Sequence, residues 1–163
     1  MKQLTILVLS LILFSNVSCN TAEKQDVEQN KIKSDSLFIA TMQKHLDAVS
    51  NKDLLTLKST LSPNGNMQLI LPKTEVTNTV EDFMAYHEEW FDIETPWTFE
   101  TKILNTEIGN NYGIAITQII YREPERDGKP YFNRMSVSYA LQKINDHWYI
   151  IKDHASSIEK STD

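Results

Sequence analysis

Two adjacent residues near the C-terminal end carry the strongest suggestion of chemistry. Asp153 and His154 stand side by side in the stretch Asn-Asp-His-Trp-Tyr-Ile-Ile-Lys-Asp-His-Ala-Ser-Ser, Asn145 to Ser157. A carboxylate next to an imidazole suits acid–base work near neutral pH, so both are candidate catalytic residues. A regular strand, however, sends neighbours to opposite faces. By that parity His154 goes with Trp148, Ile150 and Lys152, and Asp153 with Tyr149 and Ile151. Only a bulge would let both line one pocket. The competing reading is that His154 and Ser156 satisfy backbone groups at a strand end.

The other candidates are spread along the chain. His45, Tyr86, His87, Tyr121 and Arg134 are the residues expected to line a ligand pocket. His45 falls on an apolar helix face, where it is either a hydrogen-bonded core histidine or a ligand contact. His87 sits in Tyr86-His87-Glu88-Glu89-Trp90 and lacks the second histidine of a His-Glu-x-x-His zinc site. No metal and no cofactor are expected. Arg134 lies on a strand face rich in small residues. It can receive a carboxylate ligand or pair with Glu100 or Glu123. Trp97, Phe99, Phe132, Trp148 and Tyr149 read as core or interface aromatics.

These residues need one packed domain to hold them. The chain has 163 residues, 40% of them hydrophobic, enough for a single core. Its net charge is −6 with no basic block, which argues against nucleic acid as a partner. The one cysteine, Cys19, excludes an internal disulfide. Residues 1–18 read as a signal peptide: Lys2, then an apolar run from Leu4 to Phe14, shorter than a membrane-spanning helix requires. Asn16-Val17-Ser18-Cys19 resembles a bacterial lipobox, with Asn16 where leucine is usual, so Cys19 is the expected lipid attachment site. An ordinary secretory signal with an incidental cysteine is the alternative. Residues 19–33 are polar and read as a tether.

Helical spacing then begins. Ser34-Asp35-Ser36 offers N-caps, and Phe38, Met42, His45, Leu46 and Val49 share one face of a helix ending near Asn51. Lys52 to Leu61 predicts a second short helix, and Asn66 to Leu71 a strand stopped by Pro72. Glu75 to Thr79 is strand or loop, and Val80 to Trp90 a third helix capped by Thr79. Four strands follow in a meander: Trp97 to Glu107, Tyr112 to Arg122, Tyr131 to Ile144, and the last strand after the Asn145-Asp146 turn. In the third of these, Tyr131, Asn133, Met135, Val137, Tyr139 and Leu141 face one way. The class is α+β, with helices on one face of a twisted antiparallel sheet.

The order of these elements, the hairpin Gln142 to Ile150, the closing Asp153-His154-Ala155-Ser156-Ser157 and the broken helix pair Leu46-Asp47-Ala48 and Asn51-Lys52-Asp53-Leu54-Leu55 resemble the nuclear transport factor 2-like superfamily. The closest group is the SnoaL-like, ketosteroid-isomerase-like one. The resemblance implies a cone-shaped curved sheet wrapped around N-terminal helices, over residues 34–159, with 160–163 as a tail. It also implies a pocket for a small hydrophobic or amphipathic molecule, and a homodimer through the outer sheet face. The isomerases of that group place a carboxylate base after the second helix and a tyrosine on the first. Here Ser62 to Asn66 has no carboxylate, and Ser34 to Asn51 has no tyrosine. Three functions follow: a membrane-tethered binding domain in a bacterial cell envelope, outside the cytoplasm; an isomerase, cyclase or hydrolase using Asp153 or His154; or a structural dimerisation module.

Overall fold

The computed structural model describes residues 18–72 and 76–161, with side chains described from Lys24 onward. The chain divides into two compact units, Met1–Ser34 and Asp35–Asp163. The first helix, α1 (Ser18–Ser50), runs across that division. The expected signal peptide lies outside the described residues apart from Ser18, and the side chain of Cys19 lies outside them too. The stretch read as a tether is helical. Its Ala, Glu, Lys and Gln are good helix formers, and extending an existing helix avoids the cost of nucleation. The side chains of residues 24–33 are all exposed. Among the described residues no helix is long and apolar enough to cross a membrane.

In the second unit, Phe38, Met42, His45, Leu46 and Val49 are at most 3% exposed, on the face their spacing predicts. Two short-range devices end and restart the helices. Asp53 caps α2 (Leu54–Ser59), its side chain accepting from the Thr56 N–H. Thr79 caps α3 (Val80–Phe91), accepting from the Asp82 N–H at 3.0 Å.

The strands are β1 (Asn66–Ile70), β2 (Val76–Thr79), β3 (Thr98–Ile108), β4 (Tyr112–Arg126), β5 (Lys129–Ile144) and β6 (His147–Lys160). They form one curved, unclosed sheet in the order β2-β1-β6-β5-β4-β3. The meander β3 to β6 has the predicted order, but β4 runs past the expected end at Arg122 to Arg126, and β5 starts at Lys129, before the expected Tyr131. Two tight turns in it place Asp127-Gly128 and Asn145-Asp146 at positive φ, the requirement of two-residue hairpins. β1 pairs parallel with β6, so the sheet is mixed where a wholly antiparallel one was expected. The long connection that a parallel pair requires is supplied by everything between the two strands. β6 also runs past the expected boundary at residue 159, and the Ser161 N–H donates to the Phe132 carbonyl at 3.1 Å.

The core lies between α1, α3 and the concave sheet face. Phe38 meets Trp148 edge-on at 5.1 Å. It also presses on β4 at Gly113, where an added Cβ would lie 2.6 Å from Phe38 Cε2. Glycine is required there for space.

The register of β6 is what aims the site. Ala140 pairs with Lys152, but the next residue, Leu141, pairs with Ile150. Ile151 is therefore an extra residue, a β-bulge, and the alternation restarts after it. Trp148 and Ile150 are buried before the bulge, and Asp153 and Ala155 after it. Parity alone had set Asp153 apart from Trp148 and Ile150; the bulge puts all three on the inner face. A second shift, between Arg134 and Met135, makes Ile158 an extra residue in the same way.

Candidate functional site

A cavity of about 630 Å³ opens between the concave face and α3. That volume suits a small-molecule ligand and is far beyond a packing void. One wall is the inner face of β5 and β6: Asn133, Met135, Val137 and Tyr139, with Asp153, Ala155 and Ser157 beside them. Opposite lie Tyr86, His87 and Trp90 of α3 and Val49 of α1. Asp153, Tyr139 and His87 are buried at the inner end, whereas Arg126 and Lys160 are partly exposed at the outer one. From Asn133 to Tyr139 along β5 is roughly 20 Å at strand rise.

Asp153 is the most unusual group. It is 8% exposed, and its Oδ1 has no hydrogen-bond partner. Burial pushes its carboxyl up to about 7, because the charged form loses its hydration and gains nothing in exchange. Tyr139 lies directly across the β5–β6 ladder, and burial and the nearby Asp153 push its hydroxyl well above the usual range. Asn133 Oδ1 and Ser157 Oγ, on the same wall, are also buried without partners. Buried polar atoms are normally satisfied, so three such atoms on residues that line one cavity mark a candidate place for a bound molecule.

The two inner histidines are neutral. His87 Nδ1 lies 2.8 Å from the Phe83 carbonyl. A carbonyl only accepts, so Nδ1 carries the proton and Nε2 is left as a lone-pair acceptor. Burial holds its pKa at about 4. His45 lies behind the cavity wall. Its Nδ1 is 2.8 Å from Thr60 Oγ1, and Thr60 donates its own proton to the Leu57 carbonyl at 2.6 Å. The hydroxyl must therefore accept from Nδ1–H, and His45 Nε2 has no partner. Burial, and then His87, hold His45 at about 3.

A polar brace stands at the outer end. Tyr121 donates to Glu123 Oε1 at 2.6 Å. Arg126 grips both Glu123 oxygens, through Nε at 2.8 Å and through its terminal nitrogen. The guanidinium lies 3.5 Å over the Tyr131 ring. Hydrogen bonding from Arg126 holds the Glu123 carboxyl below its usual range against the effect of burial. The Arg126 charge is thus already spoken for.

The sequence candidates divide sharply. Asp153, Tyr86, His87 and Tyr121 line the cavity. His45 packs edge-on against Tyr139 at 5.5 Å without lining it. His154 is exposed on the outer face, where Ser138 is its neighbour on β5; the bulge that turns Asp153 inward turns it outward. Arg134 is also on the outer face and pairs with Glu159 at 2.8 Å, a residue brought opposite it by the second bulge. Neither Glu100 nor Glu123 is its partner: Glu100 binds Arg122 at 3.0 Å. The sequence reading missed Asn133, Ser157 and the Glu123–Arg126 brace. Asn133 had a signal, being the polar member of an otherwise apolar strand face. Among the described residues no three His, Cys, Asp or Glu side chains are grouped to hold a metal ion.

The comparisons with known proteins agree with the fold. Residues 39–159 match the sequence pattern described as a SnoaL-like domain. No curated protein matches the chain. Among solved structures, a hexachlorocyclohexane dehydrochlorinase from Novosphingobium barchaimii superposes with a TM-score of 0.71 at 9% identity, covering 82% of this chain and 92% of that one. A ketosteroid isomerase-like protein from Erwinia carotovora atroseptica gives 0.64 at 14% identity, over 76% and 95% of the two chains. A nuclear transport factor 2-like protein of unknown function from Pseudomonas putida gives 0.61 at 13%, over 83% and 87%. At such identities the likeness is one of fold.

Proposed function

Because the chain belongs to the SnoaL-like domain family of the nuclear transport factor 2-like superfamily, we propose that its cavity binds a small amphipathic molecule. The polar end of that molecule meets Asp153, and its apolar body lies along Val137, Met135 and Ile119. The observation that carries this reading is the unpartnered Asp153 Oδ1 at the inner end of a 630 Å³ cavity. Native mass spectrometry of the purified protein tests it. An adduct of small-molecule mass is expected, and it should vanish in Ala155→Phe, which fills the cavity from its buried wall. An adduct that persists in a folded Ala155→Phe protein refutes the reading.

A second reading is favoured by one observation. A carboxyl at about 7 is matched to proton transfer at neutral pH, so an enzyme of this cavity would use Asp153 as its acid–base residue. His154, on the outer face, is not available for that role. A turnover assay across pH should then show an inflection near 7 that disappears in Asp153→Asn.

Two further properties complete the proposal. Lipidation of Cys19 would tether the domain to a membrane of the cell envelope; Cys19→Ser that stays in the membrane fraction counts against it. The outer sheet face exposes Leu104, Tyr112, Ile114 and Ile158, and a homodimer would cover it. Sedimentation showing only monomer at tens of micromolar excludes that assembly.

A further inference from the structure

We infer that the ligand of this cavity is an organic amine, bound as its ammonium ion at Asp153. The inference rests on the ligand-binding reading above and names its chemical class. Three observations support it. First, the polar atoms left unmatched are chiefly acceptors. Asp153 Oδ1 and Asn133 Oδ1 are buried without partners, and the protonation of His87 Nδ1 toward Phe83 leaves Nε2 as a lone pair. An occupant that satisfies them must bring N–H or O–H donors. Second, the inner end has no cation to receive an anion. Among the described lining residues the cationic side chains are Arg126 and Lys160, both at the outer end, and Arg126 is already gripped by Glu123. A carboxylate reaching Asp153 would meet a second acid group. Third, the walls carry π surface: Tyr139 stands opposite Asp153 on the β5–β6 ladder, and Tyr86, Trp90 and Phe99 also line the cavity; an ammonium is attracted to such faces. The chain uses this contact itself where Arg126 lies over Tyr131.

Proton balance gives the inference a signature. In the empty cavity Asp153 is a neutral acid below about pH 7. When an alkylammonium binds, the carboxyl ionises against it, and one proton leaves for solvent. Affinity therefore rises about tenfold per pH unit up to about pH 7, and is level above it. The surrounding groups hold their charge through this window. His45 on α1 and His87 on α3 stay neutral, with pKa values of about 3 and 4. Tyr139 on β5 and Tyr121 on β4 stay protonated, while Glu123 stays ionised and Arg126 charged. Lys160 of β6 stands at the rim, beside Asn133.

The test is calorimetric titration of the full chain with octylamine, octanol and octanoate, which share one apolar tail. Octylamine is expected to bind at least tenfold more tightly than the other two, with release of one proton per molecule at pH 6 in buffers of different ionisation enthalpy. In Asp153→Asn the preference and the proton release should both disappear. If octanol or octanoate binds as tightly as octylamine, the ammonium inference falls while the pocket reading stands. If octylamine binds to wild-type protein with no proton release at pH 6, the inference also falls, whatever the variant does. If none of the three binds, both readings fall together.

Discussion

Asp153→Asn should make this protein more stable, by an amount that depends on pH in a defined way. The Asp153 carboxyl has its folded-state pKa raised from 3.8 to about 7 by burial. A raised folded pKa means that the native state holds a proton the unfolded chain has lost. The group's stabilising contribution is therefore complete below about pH 4 and is lost as pH rises to about 7. The loss is about 1.4 kcal/mol per pH unit, or about 4 kcal/mol over the whole window. Asparagine keeps the shape of the protonated acid and does not titrate. The variant should match wild type near pH 4, gain steadily, and lead by up to about 4 kcal/mol at pH 8. His45 and His87 act in the opposite sense. Their pKa values are depressed to about 3 and about 4, so their contribution is present above about pH 6.5 and is lost on acidification. Both proteins carry those histidines, and the difference between them cancels the effect. Urea midpoints measured from pH 4.5 to 8.5 give the curve directly. A difference that does not vary with pH, or a variant less stable at pH 8, would refute the assignment of a buried, unpartnered carboxyl.

Three other substitutions probe the frame around the site. Gly113→Ala drives a methyl into the Phe38 ring, 2.6 Å away, and should cost about 1–3 kcal/mol in thermal or urea unfolding. Thr60→Val keeps the volume but removes the acceptor for His45 Nδ1–H; a loss of about 1–3 kcal/mol is expected, with the histidine still neutral by proton NMR at pH 6. Arg134→Ala breaks only the outer-face pair with Glu159 and should change stability by less than about 1 kcal/mol, leaving ligand titrations unaltered.

Much of the frame was legible because it rests on periodicity. The spacing of Phe38, Met42, Leu46 and Val49 predicts a buried helix face, and those residues are buried. The alternation from Tyr131 to Leu141 predicts which side of β5 turns inward, and Tyr131, Val137, Tyr139 and Leu141 are indeed buried. Paired turn residues, Asn145-Asp146 among them, place the hairpins. What was not legible is register. No composition signal marks Ile151 as unpaired, since isoleucine suits a regular strand equally well. Long-range partners decide it: the parallel neighbour β1 sets Leu69 against Asp153, while β5 sets Tyr139 there. The same holds for Arg134, whose partner Glu159 is delivered by the bulge at Ile158. The helical character of residues 18–33 was hidden for another reason. A polar composition argues against burial, and burial is not needed to prolong a helix already begun.

The bulge at Ile151 also acts as a frame marker for the strand. Every residue after it owes its facing to one inserted position. If Ile151 were instead paired regularly, simple alternation would run through it and the inward set would become His154 and Ser156 in place of Asp153 and Ala155, whereas deleting Ile151 would leave Asp153 facing inward. A one-residue slip of register would then exchange a buried acid for a buried imidazole while the sheet order stayed the same. Homologous domains that differ only in whether this bulge forms would carry different chemistry in the same cavity, although a residue-by-residue alignment of their sequences would set the two aspartates in one column.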